Sequence, residues 1–219
     1  ALFFSRNAKL GDEFNRLFNS IFDHAEECMD IIRILGKRHA GYTRQELAEK
    51  AKMIPNGGFT KMLKALIGSD FIIKYVPFGA SNREERYKLK DSFCWFWLHF
   101  KENKNIKQED YWQHHLKESE LTAWRGIAFE EVCLQHIRQI KQALQIGGIS
   151  SMESAYIVRG EKDNEGLQID LIIDRSDDVA NLCEMKYSKA PYTITSSYAT
   201  HLIQRKEAME ALFCDKTFL

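Results

Sequence analysis

The sequence predicts a mixed α/β protein built as two domains in series, and three observations predict it. Helical periodicity runs through residues 26–66. Two short apolar runs bounded by turn residues follow at 71–76 and 86–89. A second pair of strand-like runs, 167–173 and 182–186, flanks a polar turn. With 219 residues, 44% of them hydrophobic, the chain can bury one large core or two modest ones. The boundaries that follow are an N-terminal helical segment at 1–24, a first domain at 25–92, an aromatic helical connector at 93–120 and a second domain at 121–219.

In the first domain, Glu26 to Leu35 places Cys28, Met29, Ile31, Ile32, Ile34 and Leu35 on a broad helical face. Thr43-Arg44-Gln45-Glu46 is a capping box, with Thr43 as N-cap and Glu46 at the third helical position. That helix runs through Leu47 and Ala51 and stops before Pro55. Asn56-Gly57-Gly58 turns the chain into a third helix carrying Phe59, Met62, Leu63 and Leu66. The strands at 71–76 and 86–89 then enclose a loop from Gly79 to Glu85.

Three helices followed by a β-hairpin is the winged-helix order. In that arrangement the third helix offers Thr60, Lys61 and Lys64 to a DNA groove, and the hairpin offers Arg83 and Arg86 to phosphates. Charge agrees, since residues 25–90 hold 13 Lys+Arg against 8 Asp+Glu while residues 121–219 hold 11 against 14. A basic domain joined to a mildly acidic one suits DNA docking beside a cation site. Against this, Glu84-Glu85 would repel phosphate, and many winged helices dock proteins, so both kinds of partner stay open.

The aromatic run Phe93 to Phe100 reads as a core helix more readily than as a platform for stacked bases. Lys101 to Lys107 reads as a solvated connection. His114 and His115 diverge on a helix and do not make a ligand pair. The five cysteines (28, 94, 133, 183 and 214) are widely spaced in apolar contexts, which predicts buried reduced thiols in a cytoplasmic protein. No apolar run of membrane-spanning length occurs, so no membrane is expected.

The second domain carries the chemistry. Asp170 lies in Leu167-Gln168-Ile169-Asp170-Leu171-Ile172-Ile173, and Glu184 and Lys186 lie in Leu182-Cys183-Glu184-Met185-Lys186. Strand alternation puts Leu167, Ile169, Leu171 and Ile173 on one face and Gln168, Asp170 and Ile172 on the other. A turn centred on Asp177 pairs Asp170 directly with Glu184, with Cβ atoms about 5 Å apart. Burying unpaired carboxylates costs several kcal/mol, so a shared divalent cation or a buried ion-pair network must compensate them. Upstream, Gly126 to Leu134 begins a helix with Phe129, Cys133, His136 and Ile137 on its buried face. Glu130 adjoins that face as a third acid, and Glu131 reads as solvated.

The order Gly126-x-x-Phe129-Glu130 on a helix, then Asp170, then Glu184-x-Lys186, resembles the PD-(D/E)XK nuclease superfamily. The resemblance implies that Asp170 and Glu184 hold Mg²⁺ or Mn²⁺, joined by Glu130 directly or through water. It also implies that Lys186 positions or activates water and stabilises the developing charge. Two departures stand out: no proline precedes Asp170, and the chain reaches Leu219 soon after one helix, where the superfamily continues into further strands.

Taken with residues 25–120, the chain resembles the C-terminal half of a group of bacterial and archaeal AAA-type ATPases. Tyr87-Lys88-Leu89-Lys90-Asp91-Ser92-Phe93-Cys94-Trp95-Phe96-Trp97 is its most characteristic joint. No Gly-x-x-x-x-Gly-Lys-Ser/Thr is present. ATP and an ATPase domain of the same polypeptide are therefore implied only through a preceding module, and the chain reads as a fragment truncated at its C-terminus. The expected function is a DNA-binding winged helix beside a metal-dependent DNA endonuclease-like domain. The alternative is a catalytically inactive DNA-binding, regulatory or protein-interaction region.

Overall fold

The structure, a computed structural model, describes residues 2–5, 8–102, 110–115, 119–158 and 166–219. It is mixed α/β with two small sheets and divides into two units: Ala1–Tyr75 with Asn82–Thr122, and Val76–Ser81 with Ala123–Leu219.

The first unit runs α1 (Glu13–Ile21), α2 (Ala25–Leu35), β1 (Tyr42–Thr43), α3 (Arg44–Ala51), α4 (Gly57–Gly68), β2 (Ile72–Tyr75) and β3 (Arg86–Leu89). Next come α5 (Ser92–Phe96), continued by a π-helical turn at Trp97–Glu102, and α6 (Tyr111–His115). The capping box is present at α3, with the Glu46 amide donating to Thr43 Oγ1 and the Thr43 amide donating to Glu46. Asn56 caps α4 by accepting from the Phe59 amide. β3 pairs antiparallel with both β1 and β2, which gives a three-stranded sheet ordered β1-β3-β2. Gly41 enters β1 at φ 66°, where a Cβ would lie 2.0 Å from the Tyr87 carbonyl oxygen, so only glycine fits.

Helices and sheet enclose Phe18, Ile31, Leu35, Leu47, Leu66 and Leu89. The aromatic run packs Cys94, Trp97 and Leu98 into the same core, with Trp97 stacked on Phe14 at 5.8 Å between ring centres. Its rings are thus occupied in packing rather than presented as a stacking platform. The expected solvated connection falls largely outside the described residues, which resume at Asp110.

The second unit takes most of α7 (Ser119–Gln135), then α8 (Ile137–Ala143), β4 (Ser151–Val158), β5 (Leu167–Arg175), β6 (Val179–Cys183), α9 (Ser196–Leu212) and β7 (Thr217–Phe218). β4, β5 and β6 form an antiparallel meander, and α9 carries the chain across so that β7 joins parallel to β6. A strand therefore does follow the helix. The β5–β6 turn is Ser176-Asp177-Asp178, with Asp178 at φ 62° and Arg175 bonded to Asp177.

That turn sets the register. Leu171 faces Cys183 and Ile172 faces Leu182, the pairing expected for a turn centred on Asp177. The simple alternation expected along β5 does not hold. Between the pairs Ser154–Ile172 and Tyr156–Ile169, β5 uses one residue more than β4, a bulge at Asp170-Leu171. Leu171 and Ile173 pack with Ile146 and Met185, whereas Ile169 and the partly buried Leu167 join Ile172, Ala180, Met209 and Phe218 on the other face. The extra residue switches the faces at the position of the acid.

Three further expectations around α7 are corrected. Phe129 is 36% exposed, His136 is exposed, and Glu131 is buried at 4%. The inward stripe passes through Cys133, Leu134, Ile137 and Ile140. Glu131 lies one turn before Leu134 on that stripe, which carries it inward.

Candidate active site on the β5–β6 hairpin

Asp170 sits at the bulge, half-buried. Its Oδ2 accepts the Met185 amide at 3.0 Å and its Oδ1 accepts Gln168 Nε2 at 3.3 Å. The Met185 bond ties the acid to the segment just beyond β6, where Glu184 follows Cys183. Met185 lies between Glu184 and Lys186, so this bond sets Asp170 beside the backbone of the Glu184-x-Lys186 segment.

Glu184 is the hub. Its side chain is 15% exposed, and Lys186 Nζ lies 2.6 Å from Oε1. The Tyr198 hydroxyl donates to the same oxygen at 2.8 Å, and Arg205 Nη1 donates to Oε2 at 2.7 Å. Lys186 also lies 5.7 Å from the centre of the Tyr198 ring. Thr195 caps α9 by accepting from the Tyr198 amide, which fixes where the helix begins and so where Tyr198 and Arg205 project. The two are seven residues apart, two turns along one helix face, and that face meets the acid.

The electrostatics follow from this packing. Burial pushes the Glu184 carboxyl up, but the hydrogen bonds from Lys186 and Tyr198 and the charges of Arg205 and Lys186 outweigh it. The carboxyl ends below its ordinary value and stays ionised. Burial pulls Lys186 down, and the hydrogen bond and charge of Glu184 raise it more, so it stays protonated. Burial and the adjoining Glu184 both raise Tyr198, which keeps its proton as a donor.

A cleft of about 390 Å³ opens beside the hub, lined by Ile169, Leu182, Glu184, Leu202, Arg205 and Lys206. Its apolar walls strengthen charge interactions at its mouth.

Glu130, the third acid expected, is half-buried on α7, and its charge raises the Cys133 thiol after burial has done so. Among the described residues no three His, Cys, Asp or Glu side chains come together as an ion cage. The donor chemistry still fits Mg²⁺, which is commonly held by one or two carboxylates with water completing its shell. Asp170 and the second lone pair of Glu184 Oε2 are oxygens of that kind. Neither Tyr198 nor Arg205 stands out in the sequence as a partner of the acids. The seven-residue spacing that puts both on one helix face was the available signal.

The residues expected at DNA have mixed surroundings. Lys61 and Lys64 are exposed on α4, and Arg83 is exposed in a short 3₁₀ turn, Asn82–Glu84. The Thr60 hydroxyl donates to the Asn56 carbonyl and accepts from Arg44. Arg86 turns towards Glu46 at 3.7 Å, and Lys74 pairs with Glu85 at 2.8 Å. His114 bonds Asp110 and His115 bonds the Tyr111 carbonyl, so their rings serve the helix. The five cysteines are free thiols, but the expectation that all are buried holds only for Cys28 and Cys94. Cys133 and Cys183 are half-buried, and Cys214, at the end of the crossover to β7, is exposed. No helix among the described residues is long and apolar enough to cross a membrane. No protein-family profile, curated protein or solved structure matches the chain.

Proposed function

We propose that the second unit is a divalent-cation-dependent DNA phosphodiesterase of the PD-(D/E)XK type, and that the first is a winged-helix docking module for DNA. One observation carries the reading: Asp170 accepts the amide of Met185, the residue between Glu184 and Lys186, and Lys186 is bonded to Glu184. Two acids and a lysine at the end of the β5–β6 hairpin, beside a cleft with a cationic edge, suit a phosphodiester and its developing negative charge. The helix order and the β1-β3-β2 sheet support the winged-helix reading. The place of the chain beside an ATPase module rests on the sequence resemblance.

In this reading Asp170 and Glu184 hold Mg²⁺ or Mn²⁺. The bound cation supplies Lewis-acid polarisation of a phosphoryl oxygen and an acidified water. Lys186, kept protonated by Glu184, presents a fixed positive charge to the pentavalent transition state. Tyr198 holds the Glu184 rotamer, and the bulge at Asp170 aims its carboxylate. Glu130, on α7, would join them directly or through water, as the resemblance implies.

A second reading is favoured by a specific observation. Arg205 and Lys186 together balance Asp170 and Glu184, so the cluster is neutral without any added cation. A nuclease fold retained as a scaffold in a DNA-binding or regulatory region would carry such a network.

Plasmid cleavage in Mg²⁺ or Mn²⁺ separates the two. The first reading expects nicking by the parent protein and its loss in Asp170→Asn and Lys186→Ala, with unchanged circular dichroism. Equal cleavage by parent and variants, or none by any of them, overturns it.

A further inference from the structure

The hub has an asymmetry that bears on how a cation enters. Glu184 Oε1 accepts from both Lys186 and Tyr198, which uses both of its lone pairs. Among the described residues Oε2 accepts from Arg205 alone, which leaves one lone pair. That oxygen is the available seat on Glu184 for a cation shared with Asp170, and it lies 2.7 Å from the Arg205 Nη1. A divalent ion at Oε2 meets the guanidinium charge at a separation where like charges repel strongly in a half-buried site.

Lys186 and Arg205 differ in how they are held. Lys186 follows Glu184 by two residues, shares its oxygen with Tyr198 and lies against that ring. Arg205 comes from α9, reaches Glu184 through one nitrogen, and borders the open cleft with Lys206. The guanidinium thus has a place to go, and its planar fork has donors beyond the one that Glu184 uses.

We propose that Arg205 is the displaceable counter-ion of the site: it neutralises Glu184 while no cation is bound and swings into the cleft when Asp170 and Glu184 take one. Arg205 therefore sets the cation concentration at which the site loads. This rests on the cation-dependent reading given above and assigns Arg205 as a positioning residue within it.

The test is calorimetric titration of Mn²⁺ alone, without nucleic acid, into the parent protein, Arg205→Gln and Arg205→Lys. Glutamine keeps a hydrogen-bond donor on a shorter side chain and removes the charge; lysine keeps the charge. Arg205→Gln is expected to bind Mn²⁺ about tenfold more tightly than the parent, because a like charge has left the site. Arg205→Lys is expected to stay within about twofold of the parent on the same grounds. Equal or weaker binding by Arg205→Gln, with the parent binding normally, overturns the counter-ion role and leaves the cation reading standing. Binding by none of the three proteins overturns the cation reading and this inference with it.

Discussion

At the residue scale, the glutamate hub makes its own predictions. Tyr198→Phe removes one donor to Glu184 and keeps the ring against Lys186, so it should destabilise the second unit by about 1 kcal/mol. Chemical denaturation measures that loss, and a change within error would show that the phenol bond contributes nothing. Elsewhere, Glu46 gives a pH prediction. Burial pushes its carboxyl up, but the Thr43 amide and hydroxyl, with the charges of Arg38 and Arg86, bring it below its ordinary 4.5. A depressed carboxyl stabilises the fold above its unfolded value and loses that contribution as pH falls through the folded one. Melting of Glu46→Gln should therefore fall less than that of the parent between neutral pH and the region below 4.5. Parallel curves would contradict the assignment.

At the element scale, two glycines make opposite predictions. Gly41→Ala forces a side chain into the Tyr87 carbonyl at positive φ and should cost about 2 kcal/mol or more. Gly126 lies within α7 with nothing near its missing Cβ, so Gly126→Ala should stabilise the helix by about 0.5–1 kcal/mol. Denaturation midpoints of both variants check the pair, and the same sign for both would refute the packing argument.

These elements also show how far local signals reach. The Thr43–Glu46 capping box, the Asn56-Gly57-Gly58 turn into α4 and the Ser176–Asp178 turn were legible because each signal lies within a few residues of its effect. The bulge at Asp170 was not, because it arises from pairing with β4, whose Ser151–Val158 sequence alternates too weakly to announce a strand. β7 escaped notice for a related reason: two residues become a strand only through the parallel partner that α9 delivers. The site was legible in part. Asp170, Glu184 and Lys186 stand out as charges in apolar runs, whereas the spacing of Tyr198 and Arg205 gives them a common helix face without saying what that face docks on.

At the scale of the whole molecule, chain order and packing order differ. Val76–Ser81 sits between β2 and β3 in sequence but belongs to the second unit, where the Phe78 amide donates to the Ala155 carbonyl and its ring packs on Phe213 and Phe218. Residues 123–219 produced alone would lack that ring from their core. They should melt below the second unit of the full chain, and Phe78→Ala in the full chain should cost about 3–5 kcal/mol in that unit. Hydrogen exchange across β5 and β7 reads both, and unchanged protection would separate the loop from the core.

The central claim, that the hairpin acids form a cation site, is tested most directly by thermal unfolding with and without Mn²⁺ for the parent and Asp170→Asn. The account predicts that saturating Mn²⁺ raises the melting temperature of the parent by several degrees and leaves that of Asp170→Asn unmoved. No rise in the parent, or an equal rise in the variant, would contradict it.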